Sequence, residues 1–131
     1  MGAAEYNINI DQGSSYNITF IYKNSDRNII DITNWCARMI ITTSDNQVLT
    51  YNSGTSNSDY KMYIDGVNGK IVLMLSAVAT NNFTFRSAKY DFELEADDVF
   101  YTGGGQYVTR VLYGTINIVK RNSKLSTNME C

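Results

Sequence analysis

Residues 90–98 read "YDFELEADD", and the spacing within this stretch decides the fold. Tyr90, Phe92 and Leu94 alternate one for one with Asp91, Glu93 and Glu95. Successive side chains of an extended strand point to opposite faces, so this alternation describes a strand with one face in an apolar core and one in water. A helical period would scatter the same residues around its circumference. The acidic row therefore belongs on the wet face. A general acid–base pair needs one carboxyl in an apolar setting to raise its pKa, and this row offers none. Asp97 and Asp98 remain as candidate calcium ligands in the loop before Val99. Their spacing lacks the regular acidic repeat of a dedicated calcium loop.

The same period of two recurs outward along the chain. In "SSYNITFIYK" (14–23), Tyr16, Ile18, Phe20 and Tyr22 share one face, with Asn17, Thr19 and Lys23 on the other. A shorter version places Tyr6, Ile8 and Ile10 together. "CARMIITTS" sets Ala37, Met39 and Ile41 against Arg38 and Ile40. "KIVLMLS" carries Ile71, Leu73 and Leu75 on one side and Val72 and Met74 on the other, the pattern of a strand covered on both faces. "QYVTRVLYGTINIVK" is long enough for a bent strand, and Gly114 within it marks a bulge or a close approach of another chain.

Turn signals separate these runs. "NSDRN" (24–28) and "SDNQ" (44–47) read as short polar turns, "NSGTSNSD" (52–59) as a flexible loop, and "DGVNG" (65–69) as a tight turn. "SAVATNNF" (76–83) is the one plausible helix, a turn or two with Ser76 as N-cap. "TGGGQ" (102–106) joins two strands, most simply as a hairpin. It lacks the Gly-Lys-Ser/Thr ending of a phosphate loop and opens a strand rather than a helix. Seven or so strands, close in sequence, predict an antiparallel β-sandwich with one short helical turn.

Composition narrows the function. A 131-residue chain with 44% hydrophobic and 18% charged residues suits one globular domain, expected over residues 1–119 with a tail over 120–131. A net charge of −2 argues against nucleic acid as partner. The small basic cluster Lys120, Arg121 and Lys124 reads as a solvated tail. With no histidine, Ser-His-Asp and Cys-His machinery and the usual zinc sites are excluded. Cys36 and Cys131 form neither a disulfide framework nor a metal knuckle, which favours synthesis in a reducing cytosol. A bridge between the two stays open. The sequons at Asn17 and Asn82 read as chance. No stretch is long and apolar enough to span a bilayer, so no membrane association is expected. No residue is assigned a catalytic, cofactor-binding or metal-ligating role, and no cofactor is expected. Tyr51, Tyr60, Tyr63, Tyr101 and Tyr107 flank loops and are divided between edge packing and partner contact. Trp35, after a turn, reads as a core or rim residue.

The order of motifs resembles a family of small tailed-bacteriophage virion proteins, akin to the N-terminal domain of baseplate upper proteins. The resemblance spans roughly residues 11–119. It rests on Gln12–Gly13, on Asp31–Ile32–Thr33 leading to Ala37–Arg38–Met39 and Ile41, and on Gly69, Ile71, Leu73, Leu75 and Ser76. It continues through Thr80, then Tyr90, Asp91, Glu93 and Leu94, and closes on Val108, Arg110, Leu112, Gly114 and Ile116. Asn34–Trp35 departs from the glycine and aromatic usual at that corner. The resemblance implies an immunoglobulin-like sandwich and a non-enzymatic structural role in the virion, after synthesis in the bacterial host cytoplasm. The implied partners are other phage tail, baseplate, neck or fibre subunits, with multiple copies in the particle. Two alternatives stand beside it: a carbohydrate- or receptor-binding module, and a capsid decoration or head–tail joining protein.

Overall fold

The computed structural model describes residues 3–97 and 106–122. Within them the chain forms β1 (Ala4–Glu5), β2 (Ile8–Asp11), β3 (Tyr16–Ile21), β4 (Cys36–Thr43) and β5 (Val48–Asn52). It continues through β6 (Tyr60–Asp65), β7 (Lys70–Leu75), α1 (Ala77–Asn81), β8 (Ser87–Asp97) and β9 (Gln106–Val119). One sheet runs β9–β8–β4–β5, with β1 and β2 end to end along the outer edge of β9; the second runs β3–β7–β6. Lettered as in immunoglobulin domains, β3, β7 and β6 take the places of B, E and D. Strands β4, β5, β8 and β9 take those of C, C′, F and G. The protein is an all-β, immunoglobulin-like sandwich with one short helix.

Tyr90, Phe92 and Leu94 of the opening stretch are 2%, 1% and 0% exposed, and all face the second sheet. Phe92 meets Phe20 of β3 edge to face, with ring centroids 4.8 Å apart. In antibody domains a disulfide links these two strands; here an aromatic pair does. Around it close Ile18, Met39, Ile41, Leu73 and Ile116.

The antiparallel expectation has one exception: β1 and β2 run parallel to β9. The run at 6–10 is not one strand, and Tyr6 is exposed. The break between β1 and β2 lies opposite Gly114, where an added Cβ would fall 2.4 Å from the Tyr6 carbonyl oxygen. Only glycine admits that approach. The ladder continues across the break, since Tyr6 N–H donates to the Tyr113 carbonyl and Thr115 N–H to Asn7 Oδ1. The chain that closes on Gly114 is thus the protein's own N-terminal segment. The bulge lies elsewhere in β9: Phe92 pairs with Leu112 but Glu93 with Arg110, leaving Val111 as the extra residue.

Two strands escape the period-two reading. β5 has only Tyr51 buried, and β6 follows directly on the polar stretch before it. Their positions are set by pairing, β5 with β4 and β6 with β7. Tyr51 and Tyr60 consequently lie in the core, stacked edge to face at 4.8 Å. The corner at Asn34 keeps a glycine-like backbone, with φ at 67°, a region asparagine tolerates better than most residues.

The helix forms as expected, with Ser76 Oγ accepting from Ala79 N–H. Its buried Thr80 ties down the β2–β3 turn. Thr80 Oγ1 accepts from Gly13 N–H at 3.0 Å and donates to the Ser14 carbonyl at 2.8 Å, with the Ala77 carbonyl at 3.1 Å. Gln12 Nε2 donates to the carbonyls of Asn81 and Phe83, while its Oε1 accepts from Arg121 N–H. Lys120 Nζ donates to the Phe83 carbonyl. Lys120 is thus fastened to the sandwich by its side chain and Arg121 by its backbone, while Arg121 itself stays exposed. Lys124 lies outside the described residues.

Burial raises the phenols of Tyr51 and Tyr90 to about 12, Tyr51 with added repulsion from Asp59 and Tyr90 with added repulsion from Tyr16 and Tyr6. A pKa raised in the folded state gives stability that is complete below the unfolded value near 10 and is lost as pH climbs towards the folded one. The melting temperature should hold near neutrality, where no imidazole titrates. It should fall above roughly pH 10, together with rising tyrosinate absorbance. Tyr51→Phe should make that alkaline fall shallower; an unchanged profile would contradict the assignment.

Candidate docking surface

The acidic row lies on the outer face of the larger sheet, where partner strands supply cations. Arg38 Nε lies 2.7 Å from Glu93 Oε1, and Arg110 Nη1 lies 3.0 Å from Asp91 Oδ1. The Arg110 guanidinium also sits 4.8 Å from the centre of the Tyr113 ring. These are half-exposed cross-strand pairs, worth about 0–1 kcal/mol each. They hold the carboxylates in a surface lattice rather than turning them towards a substrate. Among the described residues, no three Cys, Asp or Glu side chains gather as a metal site would require. The Asp97 side chain, Asp98, Tyr101 and the glycines of "TGGGQ" fall outside the description. The strands they join pair antiparallel, with Asp97 opposite Gln106.

The remaining sequence candidates are dispersed. Trp35 is half buried at the rim, its ring 6.2 Å from that of Tyr22 and 6.1 Å from that of Tyr107. These rings meet tilted or edge-on rather than lying in one plane. Cys36 is an exposed thiol at the start of β4, and Cys131 is outside the description. An open groove lies between the 42–47 turn and residues 84–89, lined by hydroxyls and by Asp45, Arg86 and Lys89.

What periodicity did not reveal is an uncovered apolar face. Val72 and Met74 read as a second buried side of β7, yet the two sheets are the only layers among the described residues. On the outside of the smaller sheet, Val72 is flanked by Thr19 and Tyr63, and Met74 by Asn17 and Lys61. Ile21 and Tyr63 are 43% and 42% exposed, whereas Val72 is sheltered by its neighbours at 6%. Lys61 reaches over the Tyr63 ring at 5.4 Å, and Lys70 sits in the row of Ile21 and Asp65. The face is apolar at its centre and carries two lysines against one carboxylate. An apolar patch with a polar rim is the usual make-up of a protein-docking surface. The sequence showed the apolar side of β7, but that no further layer lies over it among the described residues is seen only in the fold. The chain matches no protein-family model and no curated protein.

Proposed function

We propose that this protein is a structural component of a bacteriophage virion, a tail, baseplate or neck connector that acts by docking to other subunits. The observation that carries the reading is the order of motifs between Gln12 and Ile116 that resembles the phage virion family. Several of those residues serve the fold: Gln12 holds the Asn81 and Phe83 carbonyls, Gly13 meets Thr80, Arg110 meets Asp91, and Gly114 admits Tyr6. A family defined by such residues shares a scaffold rather than a reactive site. The proposal accordingly includes no catalysis.

The outer face of β3–β7–β6 is the docking surface on this reading. Its lysines favour a protein partner whose apolar contact is rimmed by carboxylates. A capsid decoration or head–tail joining role uses the same scaffold at a different position.

Mass spectrometry of purified virions encoding this chain tests the proposal, with the chain expected at a fixed stoichiometry to known structural proteins. Its consistent absence would end the proposal. Tyr63→Ala combined with Lys61→Glu should leave the melting temperature nearly unchanged, since both side chains are exposed. Incorporation into particles should fall about tenfold or more, as loss of a central aromatic anchor costs on the order of 2 kcal/mol.

A further inference from the structure

The open edge of β5 has a defined hydrogen-bond phase. Thr43 N–H donates to the Gln47 carbonyl and Ser53 N–H to the Ala37 carbonyl, each at 2.9 Å. Hydrogen-bonded and non-bonded pairs alternate along an antiparallel ladder. In the β4–β5 register, Leu49 and Tyr51 therefore direct their backbone groups at Ile41 and Met39, while Val48, Thr50 and Asn52 direct theirs away from the sheet. The Asn52 N–H is capped by the Tyr60 hydroxyl at 3.4 Å. Val48 and Thr50 keep outward N–H and C=O groups that no described residue bonds.

This edge lacks the devices that keep strand edges apart. Residues 46–58 contain no charged side chain, and the whole chain contains no proline. Elsewhere β6 carries Lys61 and Asp65, and β1 and β2 carry Glu5 and Asp11. The β3 edge is uncharged too, but its outward positions include the polar Asn17 and Thr19. At the start of β5 stand two exposed apolar residues instead, Val48 at 59% and Leu49 at 36%. Uncharged, unbulged apolar edges are templates for strand addition.

We infer that β5 pairs with β5 of a second copy of this chain, antiparallel about a two-fold axis at Leu49. That register places Val48 opposite Thr50 of the second copy, and Thr50 opposite its Val48. The backbone groups still open on each strand are then satisfied, and the bond from Asn52 to Tyr60 is left intact. Leu49 meets its symmetry mate at a non-hydrogen-bonded position, where facing side chains come closest. The pairing is self-complementary, as an isologous contact must be, and the neutral segment brings no like charges together. The larger sheet continues through the axis from one copy into the next. A single strand pair is a small interface, so association is weak for separate molecules and strengthens where copies are held side by side. This inference does not depend on the virion reading, because it is measured on the purified chain.

Sedimentation velocity over roughly two decades of concentration should show the 14.8 kDa monomer giving way to a dimer. Val48→Lys and Thr50→Lys, each checked for an unchanged melting temperature, should raise the dissociation constant about tenfold or more. In a Cys36→Ser, Cys131→Ser background, Leu49→Cys should form an intermolecular disulfide under mild oxidation, because directly opposed positions fall within disulfide reach. Thr19→Lys, on the β3 edge, should change neither result. A chain that stays monomeric throughout would overturn the inference. So would a dimer that Thr19→Lys abolishes and Val48→Lys leaves intact, or a Leu49→Cys variant that does not cross-link.

Discussion

Phe92→Ala is expected to lower the free energy of unfolding by about 3–5 kcal/mol, the largest effect of any single truncation considered. Three contributions converge on this ring. It is 1% exposed at the centre of β8, so truncation forfeits its transfer from water and leaves a cavity between the sheets. It also removes the edge-to-face contact with Phe20 at 4.8 Å, worth about 0.5–1.5 kcal/mol beyond buried area. Finally, Phe92 lies beside the Val111 bulge, where the backbone is already irregular and less able to close over a void. Total stability of a domain this size is about 5–15 kcal/mol, so the alanine variant can fall near the limit of folding. Phe92→Leu keeps most of the volume and should cost markedly less. Urea denaturation of both variants checks the ranking. If alanine cost under 1 kcal/mol, the two sheets would not be meeting at this point.

Thr80→Val should cost about 2–4 kcal/mol for the loss of one hydroxyl with almost no change of shape. Thr80 is fully buried, and its oxygen both accepts from Gly13 N–H and donates to the Ser14 carbonyl. Valine strands a donor and an acceptor at once in a site closed to water. Thr80→Ser retains the hydroxyl and loses only a methyl group, so it should cost about 1 kcal/mol. Hydrogen exchange at Gly13 separates the two explanations. Valine should speed exchange there, while serine should preserve protection. The opposite ranking would mean that the methyl group, rather than the hydroxyl, holds the turn to the helix.

Much of this sandwich was legible because burial imposes a period of two wherever a strand lines the core. β3, β4, β7 and β8 read directly from their alternation, β9 from the length of its run, and α1 from Ser76 and the short apolar run after it. β5 was hidden for a physical reason: it buries only Tyr51, so pairing rather than periodicity defines it; β6 does alternate, with Tyr60 and Met62 inward, but its short run follows directly on a polar stretch. The same cause misplaced Tyr51 and Tyr60, whose core positions follow from strands the pattern did not reveal. The parallel course of β1 and β2 depends on a contact between the two ends of the module, which no local window contains. Gly114 was read as a bulge or a close approach of another chain; it is a close approach, but by the protein's own segment at Tyr6, and the bulge lies elsewhere. The acidic row was correctly placed on the outside, whereas its pairing with Arg38 and Arg110 depends on cross-strand register. The uncovered face of the smaller sheet was present in "KIVLMLS" all along. Its pattern predicted two covered sides; among the described residues a second sheet covers one, and on the other Val72 is sheltered only by its neighbours.

The parallel seating of β2 against β9 has a mechanical consequence. Pulling backwards on the residues before Ile8 and forwards on those after Val119 slides the two strands lengthwise past each other. The pairs from Ile8–Ile116 to Asp11–Val119 are then strained together in shear instead of unzipping one at a time. A body suspended from its two ends in this way is stiff along the line of tension, and its weak direction is a sideways peel that starts at the two-residue β1.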